Sequence, residues 1–255
     1  MVDLCCEPDN VELIGHRGQR IQNGPPENTV ASVDAALAAG AEGVEVDVRL
    51  TADGVAVCLH DPDLLRVAGL PNLVRHLTFE ELRRVALVNG DVAPRLEDVT
   101  EVARGRGLLV VEVKHDPADR RPIAASVVAV LQRAKLNDKV VFSSFSSQLL
   151  DQARRLDPQL RRALVTGPDR PAAAGLRRVV AAGHAELHAH LRTVLADHEI
   201  VELARQHGCR LRCWTVNREV DARLLAVAGV ACFITDDPAT MRSALSRGPM
   251  ERTVR

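Results

Sequence analysis

The chain is predicted to adopt an α/β fold, a (β/α)8 TIM barrel with a β-hairpin extension after the second strand. Three observations lead there. Short β-rich runs alternate with helical patterns along all 255 residues, the signature of such a barrel. His16, Asp47, Glu112 and Trp214 fall toward predicted strand ends, where barrel enzymes carry their chemistry. A doubly wound sheet also alternates, but no Gly-x-Gly-x-x-Gly loop follows the first strand. No Gly/Pro/Ser-rich linker and no internal repeat breaks the pattern, so residues 1–255 are expected to form one domain with its core over residues 11–246.

Each element follows from local signals in chain order. Residues 11–15 are an apolar strand ending at His16-Arg17. Asn28 or Thr29 can cap a helix whose Val30, Val33 and Leu37 recur at helical spacing before Gly40. Gly43–Leu50 sets Val44, Val46 and Val48 on one face and Glu45, Asp47 and Arg49 on the other. Thr51-Ala52-Asp53-Gly54 is a turn, and residues 55–59 resume a strand that ends at His60. Counting from the turn centre places His60 across from Glu45.

Thr78-Phe79-Glu80-Glu81 is a capping box, and residues 96–104 form a further helix. Leu108–Val113 is a strand with Glu112 and Lys114 on one face. Residues 122–134 are helical, Val140–Ser144 a strand, and Ser147–Leu156 a helix. Residues 162–166 and 186–191 are strand candidates. Residues 197–207 read as a capped helix closed by Gly208, and residues 211–216 as a strand holding the only tryptophan. Asn217 is expected to cap a helix ending near Gly229, residues 231–235 are a strand, and Asp237-Pro238 opens the last helix. With the hairpin counted as part of the second strand, this makes eight β/α units.

Composition excludes several classes. Hydrophobic residues at 46% and charged residues at 26% describe an ordinary globular chain. The net charge of −1 and the lack of any Lys/Arg block beyond a pair argue against nucleic acid. No apolar run is long enough for a membrane span, so no stable membrane insertion is expected. Met1-Val2-Asp3-Leu4 lacks the basic and apolar regions of a signal peptide, and the expected location is cytoplasmic. Six cysteines show no Cys-x-x-Cys spacing, and Cys58, Cys213 and Cys232 lie in apolar runs, as buried thiols of a reducing compartment do. Cys5-Cys6 as a lipid anchor is a remote reading.

The chemistry concentrates at a few positions. Glu45 and Asp47 share a strand face and can converge on one cation. The aliphatic valines suit the helix-covered side of a barrel strand, so the charged side looks into the barrel mouth, where burying it without function would be costly. Two histidines, a carboxylate cluster and nearby Arg17 and Lys114 are the parts needed for metal-assisted cleavage of a phosphate ester. All-oxygen ligands favour calcium or magnesium over zinc. Trp214 at a strand end reads as a pocket wall. His188-Ala189-His190 has a zinc-binding spacing but sits near the sixth strand, where a pocket-edge or structural role is expected.

Nine segments run in order from residue 14 to 238. They are Ile14-Gly15-His16-Arg17-Gly18, Pro26-Glu27-Asn28-Thr29, Glu45-Val46-Asp47-Val48, Thr51-Ala52-Asp53-Gly54, His60-Asp61, Val111-Glu112-Val113-Lys114, Ser143-Ser144-Phe145, Trp214-Thr215-Val216-Asn217 and Ile234-Thr235-Asp236-Asp237-Pro238. Together they resemble the glycerophosphodiester phosphodiesterase family. The resemblance implies hydrolysis of glycerophosphodiesters to glycerol 3-phosphate and an alcohol with a divalent cation, Mg2+ or Ca2+. On this chain it implies Glu45, Asp47 and Glu112 as metal ligands, His16 and His60 as the acid/base pair, and Arg17 and Lys114 on the phosphate. His16 is taken as base and His60 as acid, with the reverse order and a cyclic phosphate route both open. The chain departs from the family pattern at Leu64-Leu65-Arg66-Val67-Ala68-Gly69, where a polar, threonine-containing stretch is usual. Aromatic residues at 2% and the absence of tyrosine favour a small water-soluble phosphodiester over a lysophospholipid. A phospholipase D-like hydrolase and a non-catalytic phosphate-ester-binding barrel are the alternatives.

Overall fold

The alternation of valine and charge along residues 43–50 becomes a barrel strand with helices outside and chemistry inside. The structure, a computed structural model, describes residues 11–88, 90–119 and 121–246. The parallel strands are β1 (Glu12–His16), β2 (Gly43–Leu50), β6 (Leu108–Val113), β7 (Val140–Ser144), β8 (Arg161–Thr166), β9 (Glu186–His190), β10 (Arg210–Trp214) and β11 (Cys232–Thr235). They run β1-β11-β10-β9-β8-β7-β6-β2, and β1 also pairs with β2, closing the predicted eight-stranded ring. The register aligns His16 with Glu45, Asp47 with Glu112, and Glu112 with Ser143, so the chemistry-bearing residues fall on two successive inward positions near the strand ends.

The hairpin extension is also present. β3 (Ala56–Cys58) runs antiparallel to β2, with Val48 opposite Cys58 and Leu50 opposite Ala56. Continued, this register puts His60 across from Val46, one residue away from the Glu45 expected by counting. Residues 51–55 make a wider connection than a four-residue turn, since Thr51 N donates to Val55 O and Thr51 Oγ1 donates to Asp53 Oδ1 at 2.6 Å. After the hairpin comes an insertion absent from the sequence reading, β4 (Asp63–Leu64) and β5 (Leu70–Leu73) around the short helix α2 (Leu65–Ala68). The predicted capping box at Thr78 and Glu81 then opens α3 (Phe79–Leu82).

The outer helices are α1 (Val30–Ala38), α4 (Leu96–Ala103), α5 (Ile123–Ala134), α6 (Ser147–Leu156), α7 (Ala172–Ala182), α8 (Leu191–Ala196), α9 (Glu199–Gln206), α10 (Glu219–Val227) and α11 (Pro238–Ser246). α7 has no counterpart in the sequence reading, although its buried Ala172, Gly175, Leu176 and Val179 keep helical spacing. Of the expected caps, one of the two alternatives at α1 holds and two others differ. Thr29 caps α1, accepting from Ser32 N, whereas Asn28 stands before it with a left-handed φ of 61°. Arg218, not Asn217, precedes α10. The single helix expected over 197–207 is two, because Asp197 ends α8 and α9 starts after His198, without a side-chain cap. Asp237 does cap the last helix, accepting from Thr240 N at 3.1 Å.

Two apolar layers result. Val44, Val46 and Val48 join Val111, Phe142 and Leu187 in the main cluster between strands and helices. Ile14, Val110, Val141, Ala163 and Ile234 fill the barrel interior. Below them lies a charged floor around Arg212, among the largest fully buried side chains. Arg212 Nε donates to Glu186 Oε2 at 2.7 Å, its Nη1 lies 3.1 Å from Glu12 Oε1, and Arg161 also pairs with Glu186. His188 Nε2 lies 3.1 Å from Glu186 Oε2, so this member of the His-x-His pair has a structural partner. Burial would push the Glu186 carboxyl up, but His188 and Arg212 overcome it and hold it well below the usual range. Gly15 and Gly18 complete the exit from β1. A Cβ on Gly15 would lie 2.6 Å from Gly18 O, and Gly18 combines φ +81° with Ser32 backbone 2.4 Å from a Cβ.

Cys58, Cys209, Cys213 and Cys232 are free and buried, while Cys5 and Cys6 lie outside the described residues. Burial pushes the Cys209 thiol up to about 11 and the Cys232 thiol up to about 12. Among the described residues no helix is long and apolar enough to cross a membrane.

Two outcomes follow from the floor and the thiols. Arg212→Ala strands buried Glu186 without its main cation and should cost about 3–5 kcal/mol in urea unfolding. Glu186 is depressed in the folded state, so its contribution is complete above the unfolded value of about 4.3 and is lost as pH falls through the folded value. The stability gap between wild type and Glu186→Gln should therefore narrow below about pH 4. In alkylation followed by mass spectrometry at pH 8, Cys58, Cys213 and Cys232 should be protected until the protein is unfolded.

Candidate active site

β1, β2 and β6 deliver their side chains to one place at the barrel mouth. Glu45 and Asp47 project inward two residues apart on β2, and Glu112 meets them from the next strand. One oxygen from each of the three lies within 4.8 Å of the others. Lys114, just past the end of β6, sets Nζ 2.6 Å from Asp47 Oδ1 and also contacts Glu112. Arg17, with φ 57°, follows His16 and forms an ion pair with Asp47, its Nε 3.0 Å from Oδ2. Its backbone N–H donates to Glu45 Oε2 at 3.0 Å.

The charges are unevenly compensated. Asp47 is buried, which alone would raise its pKa, yet Lys114 and Arg17 overcome this and hold it ionised far below the usual range. For Glu45, burial and then repulsion from Asp47 and Glu112 push the carboxyl well up. Burial likewise raises Glu112 against the pull of Lys114. Among the described residues Glu45 Oε1 is buried without a hydrogen-bond partner. An all-oxygen set with one orphaned buried carboxylate oxygen fits a hard divalent cation.

Both histidines carry a carboxylate on the same ring nitrogen. His16 Nδ1 donates to Asp236 Oδ1 at 2.6 Å, and His60 Nδ1 donates to Asp61 Oδ1 at 2.6 Å. Each bond leaves Nε2 as the nitrogen free to act. Burial lowers the His60 pKa, opposed by Asp47. His16, His60, Glu45, Glu112, Lys114 and Trp214 line one cavity of about 90 Å³. Trp214 forms its wall, with Nε1 donating to His188 O and an edge contact to Phe145 at 5.7 Å between centroids. His190 makes a second edge contact with that ring at 5.2 Å between centroids. All eight residues singled out from the sequence, including Arg17 and Asp47, therefore meet in or around this cavity.

Several positioning residues were not recognised in the sequence. Asn28, read as a possible cap, clasps Asp47 instead: Nδ2 donates to Asp47 Oδ2 and Oδ1 accepts from Asp47 N, both at 2.9 Å. Asn217 holds Asp236 in the same way, from Nδ2 to Oδ2 at 2.7 Å and from Asp236 N to Oδ1 at 2.9 Å. Glu27 is a junction for three arginines. Arg17 Nη1 donates to it at 2.8 Å, Arg66 reaches it with both Nη atoms, and Arg20 Nε lies 3.3 Å away. Arg66 Nε continues to Asp61 at 2.6 Å, and Arg20 Nη1 to Asp236 at 3.4 Å. The usable sequence signals were the Asp directly after His60 and the Asn-before-Thr at the start of α1. Arg66 stands in the stretch that departs from the family pattern.

Residues 16–240 match the Glycerophosphoryl diester phosphodiesterase family. A glycerophosphodiester phosphodiesterase of Caldanaerobacter subterraneus subsp. tengcongensis is 29% identical over 92% of this chain and 98% of its own. A solved putative glycerophosphoryl diester phosphodiesterase from Silicibacter pomeroyi superposes with a TM-score of 0.84 at 29% identity, covering 95% of each chain. A phosphodiesterase from Oleispira antarctica, solved in complex with the product sn-glycerol-3-phosphate, superposes at 0.83 with 28% identity over 92% of this chain and 97% of its own. With the barrel, the carboxylate cluster and the paired histidines, these likenesses make the chain a phosphodiesterase that belongs to the glycerophosphoryl diester phosphodiesterase family.

Proposed function

We propose that this single-domain chain hydrolyses small water-soluble glycerophosphodiesters to glycerol 3-phosphate and an alcohol in the cytoplasm, with Mg2+ or Ca2+ held by Glu45, Asp47 and Glu112. The observation that carries this reading is the pair of histidines, each with Nδ1 on a carboxylate, beside three carboxylates in one small cavity. Free buried cysteines support the reducing location.

The cation, held by Glu45, Asp47 and Glu112, would offset the negative charge that builds on the phosphate and lower the pKa of the attacking water or hydroxyl. The chain's own groups do the rest. Arg17 and Lys114 place N–H donors where negative charge builds on the phosphate. Asp236 keeps the His16 proton on Nδ1, so Nε2 presents its lone pair as the base. His60 Nε2 gives its proton to the leaving alkoxide, and the burial that lowers its pKa makes the protonated ring a readier donor. Asn28 fixes the Asp47 carboxylate from outside the ligand set. Trp214 walls the pocket against which the substrate's carbon skeleton packs.

Glycerol 3-phosphate release from glycerophosphocholine and glycerophosphoethanolamine tests this, with magnesium or calcium and again with a chelator. Release should need metal and fall about 10²–10⁴-fold in His16→Ala. No release with any divalent cation would sink the proposal and shift attention to lysophospholipids and then to a binding role. Asn28→Ala should keep the fold, by circular dichroism, while weakening metal affinity about 10–100-fold in calorimetric titration. Unchanged affinity would show that Asp47 does not need its clasp.

A further inference from the structure

Beside the catalytic cavity lies a larger polar pocket of about 420 Å³, and Lys114 lines both. Its other charges are mostly committed. Arg75 pairs with Asp116 at 3.0 Å, Arg121 pairs with Asp119, and Lys114 is held by Asp47 and Glu112. Arg49 is different. It lies two residues beyond Asp47 on the same face of β2, and its Nε donates to the His60 carbonyl at 2.8 Å. Its two Nη atoms have no hydrogen-bond or ion-pair partner among the described residues. Gln148 and Gln152, one turn apart on α6, add amides that also make no hydrogen bond among the described residues.

We propose that this pocket is the subsite for the alcohol headgroup and that Arg49 selects headgroups carrying an anionic group, a carboxylate or a phosphate. The inference rests on the hydrolase reading above and names its substrate class. A phosphate between His16 and His60 lies next to Lys114, and an alcohol leaving over Lys114 enters the polar pocket. Trp214 is four strands from β6 around the ring, so that alcohol moves away from the aromatic wall. An uncommitted guanidinium fork is suited to a carboxylate or phosphate, and the amides suit hydroxyl or amino groups around it.

The test compares glycerophosphoserine with glycerophosphoethanolamine, which differ by one carboxylate, in wild type and Arg49→Gln. A second pair is glycerophosphoinositol with and without a 4-phosphate. Gln keeps a side-chain donor for the His60 carbonyl, and each ratio is taken within one protein, so a general loss of rate cancels. Wild type should favour the anionic member of at least one pair about 10-fold in kcat/KM, and the variant should bring that ratio to about one. The pair that responds tells carboxylate from phosphate. Ratios of one for both pairs in wild type, or a preference that survives Arg49→Gln, overturn the proposal. If no pair is turned over with any divalent cation, the hydrolase reading fails separately, and calorimetric binding of the same pairs decides the headgroup. Tighter binding of the anionic member that is lost in the variant supports it, and equal binding overturns it.

Discussion

Three carboxylates drawn to within 4.8 Å of one another in a buried mouth repel, and much of the upper half of the barrel is organised by that repulsion. Lys114 and Arg17 lower it at Asp47, and Asn28 pins the same carboxylate with two hydrogen bonds. Holding Arg17 there takes a left-handed residue between His16 and a glycine that must come within 2.4 Å of Ser32 at its missing Cβ. The backbone irregularity at the end of β1 is thus the local consequence of an electrostatic requirement on β2.

The floor of the same barrel shows how a buried carboxylate looks when nothing more is asked of it. Glu186 has Arg212, Arg161 and His188 around it, and its pKa is depressed. Glu45 is also buried, but one of its oxygens has no partner among the described residues and its pKa is raised. Two buried glutamates of one barrel therefore differ in sign of shift. The satisfied one is structural. The frustrated one belongs to the carboxylate cluster beside the small cavity, where the proposed cation would be received.

What could be read from the residues alone depended on whether the determining contact was local. The Val44/Val46/Val48 alternation, the Thr78 capping box and the Asp237 cap are decided within a few residues, and all appear as expected. The candidate site residues could be picked out because barrel enzymes carry their chemistry at strand ends, and the structure brings those residues together. Asn28 and Asn217 misled because a short amide can cap a helix or clasp a distant carboxylate, and the partners Asp47 and Asp236 lie 19 residues away in each case. The hairpin register slipped by one because Thr51 and Val55 widen the turn through their own hydrogen bonds. The insertion around α2 gave no periodic signal, being only four helical residues between strands of two and four.

Glu27 lies in the loop after β1, Arg66 in the insertion after the hairpin, and Asp236 beyond β11, yet they are joined by Arg20, Arg66 and their carboxylates into one rim. Segments far apart in the chain are consequently not exchangeable modules. An insertion without an arginine at residue 66 would leave Glu27 and Asp61 short of a shared partner, and a first loop without an acid at residue 27 would leave Arg66 with Asp61 alone. Diversification of this enzyme's mouth has to proceed in correlated steps, with residue 27 and residue 66 changing together.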